Sequence, residues 1–533
     1  MKKNIEYPLY QLEEYESFIE MIVRKAEKLK NKTAFQYVEK GQVCNVSYEQ
    51  FRKDIVNIST YLIREYSQDN HIAILGENSY FWLVAFMAIV ISGKVAVCLD
   101  KELDSYTLSE LLNNTDTKVC IVSDSYKDMM EEIKEKNTVV SFLLMKKLWQ
   151  KQEMQKPNEM VFETYDKVQI REKAAAIFFT SGTSGASKSV MLSQFNMMSD
   201  INMACKNFKP SGTVLCVLPF HHSFGLITAV LKLYNYEQIV YINSSLRHIR
   251  RDLLLARPQT MMLVPLFVDN FYKIIWQTAK TDGKENRLKI GLSISHILLR
   301  LGVDVRRRMF HSVLDSFGGE LEYIVCGGAS LQTKYIEGFR EFGIEILNGY
   351  GITECSPVIA VNRNYYHRDG SVGQVLEGCT VRINKENGEI QVKGPNVMLG
   401  YYNDPDGTNE VFDNGWFKTG DLGYLDKDNF LYITGRIKNL IILSNGENVS
   451  PEELEERILQ IDYVKEVVVS ENDGQIQAEL YLDKERMASE KIKEDIIAIN
   501  KSLPNYKKIA KTVIREQEFE KTTTKKIKRS NNI

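Results

Sequence analysis

Twelve residues, Phe178-Phe179-Thr180-Ser181-Gly182-Thr183-Ser184-Gly185-Ala186-Ser187-Lys188-Ser189, gather small hydroxylated and glycyl side chains around one lysine. The chemistry open to such a stretch is phosphate binding. Backbone N–H groups and the hydroxyls of Thr180, Ser181, Thr183 and Ser184 can wrap phosphate oxygens. Gly182 and Gly185 leave room for the wrap, and Lys188 adds a positive charge. The stretch follows an apolar strand candidate and precedes a helix candidate. Ser/Gly/Thr clusters also make ordinary loops, so composition alone leaves both readings open. The loop G-x-x-x-x-G-K-[ST] of phosphate-binding NTPases is rejected, because Ser187 stands where its second glycine is needed for the tight backbone wrap.

Further along lie Pro219-Phe220-His221-His222-Ser223-Phe224-Gly225, Gly327-Gly328-Ala329, Tyr350-Gly351-Ile352-Thr353-Glu354, Gly415-Trp416-Phe417-Lys418-Thr419-Gly420-Asp421, Gly435-Arg436-Ile437-Lys438, and a basic stretch from Lys521 to Arg529. In this order, together with the first stretch, they resemble the motifs of the adenylate-forming superfamily: acyl-CoA synthetases, peptide-synthetase adenylation domains and luciferases. The chain departs from that pattern at Ser187 (usually Pro), Ser189 (usually Gly) and Lys525 (usually Gly).

The resemblance implies ATP-dependent activation of a carboxylic acid to acyl-AMP, with release of pyrophosphate and then transfer to a thiol. Such a reaction needs little covalent catalysis. The protein must bring two anions together and stabilise charge on the α-phosphoryl oxygens. By the resemblance, Thr180, Ser181, Gly182, Thr183, Ser184, Gly185 and Lys188 cradle phosphates, while Gly328, Ala329, Tyr350 and Gly351 hold adenine, with Tyr350 stacked on the base. Thr353 bonds the α-phosphate, and Glu354 holds Mg²⁺, a hard cation suited to carboxylate oxygen. Asp421 accepts both ribose hydroxyls, as a two-oxygen acceptor can, and Arg436 contacts ribose or phosphate. Lys526 supplies the catalytic cation, and Lys438 is the hinge about which a small domain closes and then rotates, turning the Gly446-Glu447-Asn448 loop toward the thiol. Each of these residues also has a plain structural reading, such as a core Tyr, a solvated Glu, a turn Asp or a basic tail.

Histidine is the side chain able to change charge near neutral pH, and two stand together here as His221 and His222. A histidine beside an entering carboxylate can orient it or gate its path, and His222 joins the catalytic set on that ground; isolated, such a pair reads as core. Pro219–Gly225 carries no acid to meet a substrate ammonium, which argues for a simple carboxylic acid over an α-amino acid. The C-terminal motifs and Leu443–Asn448 look most like bacterial medium- to long-chain fatty acyl-CoA synthetases, implying a fatty acid with CoA as acceptor. The alternatives are an adenylation enzyme loading an acyl or aryl acid onto a carrier-protein phosphopantetheine, and a nucleotide-binding protein without catalysis. The last is disfavoured because Thr353, Glu354, Asp421 and a motif lysine are all present.

The elements that must hold these groups read as α/β. Strand candidates are His71–Leu75, Val95–Leu99, Val119–Val122, Ala174–Phe179, Val214–Leu218, Ile239–Ile242, Met261–Val264 and Tyr323–Cys326. Helical segments such as Ser79–Ile91, Ser193–Phe208 and Thr333–Phe342 lie between some of them. Alternation of this kind predicts layered, mostly parallel sheets covered by helices. Residues 1–436 form this large domain. Residues 437–533 form a small, mobile α+β domain: a helix begins at Ser450-Pro451-Glu452-Glu453, with Ser450 as N-cap and Glu453 closing a capping box. Strands Val464–Ser470 and Ile476–Leu482 and a helix near Glu490–Lys501 follow.

Lys plus Arg number 68 and Asp plus Glu 70, so no global basic field draws the chain to nucleic acid or membrane. Eight scattered cysteines without C-x-x-C spacing argue against a zinc or redox pair and suit a cytoplasmic location. The N-terminus has no apolar core and is not a secretory signal. The apolar run near Phe81–Ser92 is too short to span a bilayer, so no transmembrane segment is expected.

Overall fold

The short apolar runs become strands, because sheets covered on both faces demand apolar side chains at successive positions. The computed structural model describes residues 7–529 apart from 138, 153–157, 159–166, 182–186, 444–446, 473, 484–488, 522–526 and 528. A seven-stranded sheet runs in the order Gly400–Tyr401, Ser187–Ser193, Ala174–Ser181, Val95–Cys98, His71–Leu75, Val119–Val122, Ser141–Leu144. From Ala174–Ser181 onward its pairings are parallel; the first two strands are antiparallel to their neighbours. A nine-stranded sheet runs Gln374–Val375, Val358–Val361, Glu345–Gly351, Tyr323–Cys326, Thr260–Leu263, Val214–Cys216, Val240–Ile242, Thr33–Glu39, Gln42–Ser47. It is parallel from Glu345–Gly351 to Thr33–Glu39 and antiparallel at both margins.

One apolar cluster fills the space between the two sheets. Helix Tyr80–Ile91 lies in it and is buried on every side except at Phe81, as a helix apolar all round must be. Among the described residues no helix is long and apolar enough to cross a membrane. Helices Ile249–Ala256, Pro265–Thr281, Glu285–Arg300 and Thr333–Glu341 contribute, with the far face of the nine-stranded sheet, to a second cluster. The mixed α/β, mostly parallel architecture thus agrees with the expectation, and three strands, His71–Leu75, Val119–Val122 and Tyr323–Cys326, keep their expected bounds.

Two local expectations are corrected. The stretch 178–189 does not run into a helix: its last three residues open strand Ser187–Ser193, antiparallel to Ala174–Ser181 with Thr180 opposite Lys188, and helix Gln194–Asn207 begins only afterwards. Its described ends, Thr180–Ser181 and Ser187–Ser189, are thus paired antiparallel strands, and the helix lies beyond the second of them. The capping box at Ser450 is also absent. Helix Pro451–Ile458 forms with Pro451 in its first turn, but the Ser450 hydroxyl donates to the Thr434 carbonyl (2.7 Å), and Glu453 accepts from Lys507 (2.6 Å). The Ser450 hydroxyl is turned to a tertiary carbonyl and does not accept from the helix N–H groups.

Beyond the large sheets, Thr380–Ile383, Glu389–Lys393, Trp416–Leu425, Phe412–Asp413 and Leu431–Arg436 form a five-stranded antiparallel sheet that strand–helix alternation does not foresee. After it, Val464–Asn472, Gln475–Leu482 and Ile509–Arg515 form a three-stranded sheet with helices Pro451–Ile458 and Ser489–Lys501. Their apolar side chains make a cluster of their own whose buried members run from Ile441 to Ile509. All eight cysteines are free.

Candidate active site

Strand Trp416–Leu425 sets Asp421 directly opposite Arg436 of Leu431–Arg436. The Asp421 carboxylate is buried and uses both oxygens: Oδ1 accepts from Arg436 Nε (2.6 Å) and Oδ2 from the Tyr350 hydroxyl (2.6 Å). Three strands of two sheets thus meet on one carboxylate. Burial and the Asp421 charge push the Tyr350 phenol well above its ordinary value. Arg436 loses solvation here, but Asp421 more than compensates and its affinity for the proton rises.

Tyr350 and Gly351 end strand Glu345–Gly351, and Gly351 is required there. A Cβ on it would lie 2.0 Å from the Pro357 carbonyl oxygen, so no side chain fits without moving backbone. The chain then turns through Thr353 and Glu354. The Tyr401 hydroxyl donates to Glu354 Oε1 (3.0 Å), and Lys188 Nζ sits 4.4 Å from the centre of the Tyr401 ring, a cation–π contact. Burial pushes the Glu354 carboxyl up, against the Tyr401 hydrogen bond and the charges of Arg436 and Lys188, which lower it. Glu354 is therefore an under-compensated acidic oxygen donor, the kind a hard divalent cation fits.

The turn Pro219–Gly225 closes another side. The Ser223 hydroxyl donates to Thr353 Oγ1 (3.2 Å). Asn78 clamps the turn, donating to the Leu218 carbonyl (2.7 Å) and accepting from Phe220 N–H (3.0 Å). Gly225 is the second residue of the π-helical segment Phe224–Leu231, and a Cβ there would strike the Pro219 carbonyl oxygen at 2.0 Å. His221 is buried with Nε2 3.2 Å from Asp100 Oδ1, and its ring lies 4.4 Å from that of His222. Burial opposes the Asp100 charge, yet the His221 hydrogen bond and charge, the Glu102 N–H and nearby His222 hold its carboxyl well below the usual range. Gly328 and Ala329 are exposed just past Tyr323–Cys326, whose Cys326 pairs with Asn348, so both strands end at the same margin. Carboxyl ends of parallel strands are where α/β sheets bind ligands.

Of the residues singled out from sequence, Lys188, Tyr350, Gly351, Thr353, Glu354, Asp421 and Arg436 are joined by contacts or charge in one neighbourhood. Lys438 is close enough that Arg436 and Asp421 act on its charge, while burial, the largest influence, lowers its proton affinity. Thr180 lies at the end of the hairpin strand, accepting at its carbonyl from the Ser187 hydroxyl (3.1 Å). Gly182, Thr183, Ser184, Gly185 and Lys526, and the side chain of Ser181, lie outside the described residues. Asp100, Ser223 and Tyr401 were not foreseen. Asp100 lies two residues past the carboxyl end of the parallel strand Val95–Cys98, a positional signal the sequence does carry.

The family model described as AMP-binding enzyme matches residues 22–402, and the one described as AMP-binding enzyme C-terminal domain matches 438–533. A long-chain-fatty-acid–CoA ligase of Mycobacterium bovis is 30% identical over 313 residues, covering 55% of this chain and 52% of that protein. The chain thus spans about half the length of that relative. A 2-succinylbenzoate–CoA ligase of Bacillus mycoides is 28% identical over 531 residues, covering 95% and 96%. Among solved structures, o-succinylbenzoate CoA synthetase of Bacillus subtilis with its acyl-adenylate superposes with a TM-score of 0.74 at 23% identity, over 95% of this chain and 96% of that one, a likeness of fold.

Proposed function

As the chain belongs to the AMP-binding enzyme family, we propose that it is an acid–thiol ligase that converts a carboxylic acid to acyl-AMP and then to a CoA thioester. The observation carrying this reading is the buried Asp421 carboxylate held between Tyr350 and Arg436, beside the Glu354–Tyr401–Lys188 group. A rigid anionic acceptor next to cations and hydroxyls suits a ribose joined to phosphates. Glycosyl or peptide hydrolysis has no use for that pairing.

In the first half-reaction Asp421 accepts the ribose hydroxyls, and Tyr350, Gly351, Gly328 and Ala329 border adenine. Arg436 and Lys188 draw the phosphates in, with Thr180 and residues 181–185 serving them as well. Thr353 donates to the α-phosphate. An acid oxygen attacks the α-phosphorus as the bond to the pyrophosphate oxygen breaks; pyrophosphate leaves, and the acyl-phosphate bond holds the adenylate. Lys526 steadies charge on the entering and α-phosphoryl oxygens, worth about 3–4 kcal/mol for one well-placed donor. Mg²⁺ held by Glu354 would offset phosphate charge. In the second half-reaction residues 437–533 turn about Lys438, carrying Lys526 away, and the CoA sulfur attacks the acyl carbon as AMP leaves.

His222 borders the acid, held by the neighbouring Asp100–His221 pair. We favour a medium- or long-chain fatty acid, in line with the fatty-acid ligase relative. An aryl acid is the second reading, because a 2-succinylbenzoate ligase is the relative matched over nearly its whole length. A carrier-protein thiol could replace CoA in either. Acid-dependent pyrophosphate release over acetate, benzoate, 2-succinylbenzoate, amino acids and fatty acids of increasing length separates them. Release with no acid in the panel would overturn the ligase reading, and thioester formation with carrier protein but not CoA would move the acceptor.

A further inference from the structure

Helix Glu285–Arg300 buries Leu292 against the second cluster, while Leu288 is half-buried there. Its other side is apolar as well. Ile290, Ile294, Ile297 and, one turn on, Leu301 are 61%, 45%, 59% and 73% exposed, and their spacing of three to four residues puts them on one outward stripe. Four large aliphatic side chains on one face are unlike the scattered single apolar residues of an ordinary surface. Cations flank them. Residues 280–308 hold eight Lys or Arg and three Asp or Glu, a net charge of +5, in a chain whose net charge is −2. Several of these cations serve the fold: Lys284, Lys289 and Arg306 pair with Asp282, Glu285 and Asp304, and Arg307 donates to backbone carbonyls. Among the described residues Arg287, Arg300 and Arg308 make no such contact and remain available at the helix and just beyond it.

We propose that this stripe is a docking surface for an anionic lipid bilayer, the helix lying in the plane of the interface with Ile290, Ile294, Ile297 and Leu301 in the acyl boundary and Arg287, Arg300 and Arg308 among the headgroups. An apolar face with free cations on its flanks matches an interfacial helix, whose binding adds buried apolar area to attraction for anionic lipid. A second copy of this chain fits worse. A two-fold contact through the stripe would set each copy's excess positive charge against the other's, with no acidic patch in the segment to meet it. The helix is too short and too firmly seated on the second cluster to insert across a bilayer. Docking stands independently of the ligase reading, since it involves none of the residues placed in the site. If the acid is a fatty acid, docking also brings the protein to the phase in which that acid dissolves.

The test is co-sedimentation of the full chain, without nucleotide or acid, with phosphatidylcholine vesicles containing roughly 30% phosphatidylglycerol and with pure phosphatidylcholine vesicles. Binding is expected to the anionic vesicles, to weaken at about 0.5 M salt as screening shortens to about 4 Å, and to fall at least about tenfold in Ile294→Glu/Ile297→Glu. Arg287→Gln/Arg300→Gln should lose the preference for anionic vesicles while keeping the wild-type circular dichroism and melting temperature. Failure of the wild type to bind, or equal binding by the isoleucine double variant, overturns the proposal. So does a concentration-dependent dimer in sedimentation velocity that the isoleucine variant abolishes, which would make the stripe a contact between copies.

Discussion

Replacing Asp421 by Asn isolates the charge on which the nucleotide reading turns. The carboxylate is 4% exposed and accepts at 2.6 Å from both Tyr350 and Arg436. An amide of the same shape can accept from only one of them through its oxygen, and its NH₂ group faces the other donor. One charge-assisted hydrogen bond is worth about 1.5–3 kcal/mol. The Arg436 side chain is 43% exposed, so water recovers part of that loss and the free protein should be destabilised by only about 1–2 kcal/mol. Bound nucleotide gains no such relief, because the ribose hydroxyls need an acceptor that an amide supplies poorly. Losing about 1.5–3 kcal/mol there weakens ATP about 10- to 150-fold. Calorimetric titration of wild type and Asp421→Asn with ATP and with 2′,3′-dideoxy-ATP measures it. The wild type should prefer ATP strongly and the variant should hardly discriminate. If the folded variant binds ATP within about twofold of wild type, or the wild type ignores the loss of the ribose hydroxyls, Asp421 does not hold the sugar.

Glu354→Gln should separate stability from turnover. Burial raises the folded carboxyl above its unfolded value, so its ionisation costs stability increasingly as pH rises past the unfolded carboxylate range, and nothing below it. The variant should therefore melt higher than wild type at about pH 8, match it near pH 4, and lose at least about a hundredfold in Mg²⁺-stimulated pyrophosphate release; a lower melting temperature at pH 8 contradicts the burial argument. Lys526→Ala should slow acyl-adenylate formation at least about a hundredfold while ATP still binds and synthetic acyl-AMP is still converted to thioester; wild-type pyrophosphate release would move the catalytic cation elsewhere. Gly351→Ala should lower stability in urea by about 3 kcal/mol or more, since its Cβ meets the Pro357 carbonyl at 2.0 Å; an unchanged midpoint would mean the turn after Tyr350 yields easily.

The parallel strands were legible because burial on both faces leaves an unbroken apolar signature, as in His71–Leu75 and Val119–Val122. Ser187–Ser193 was not, because Ser-Lys-Ser opens it like a loop and its pairing with Ala174–Ser181 is what makes it a strand. The antiparallel sheet that presents Asp421 to Arg436 is similarly hidden, its strands half-exposed and mixed in polarity. The resemblance to the adenylate-forming superfamily points to Tyr350, Glu354, Asp421 and Arg436 but says nothing of how they touch. Their connectors are single residues of common type: Tyr401 after a glycine, Ser223 in a turn, Asp100 after a strand. No local pattern distinguishes Tyr401 or Ser223, whose partners stand far away along the chain, and Asp100 is marked only by its place past a strand end.

The cluster confined between Ile441 and Ile509 bears on how much work a reorientation of the C-terminal segment requires. Its grease is already sealed within itself, so a swing exposes polar seams instead of oil. Contacts such as Lys334 Nζ to the Leu459 carbonyl (3.1 Å) and Ser450 to the Thr434 carbonyl are replaceable by water at about 1 kcal/mol each. On the proposed two-step reaction, two poses of such a segment would differ by so little that the chemical state of the ligand, triphosphate or adenylate, would suffice to tip the balance.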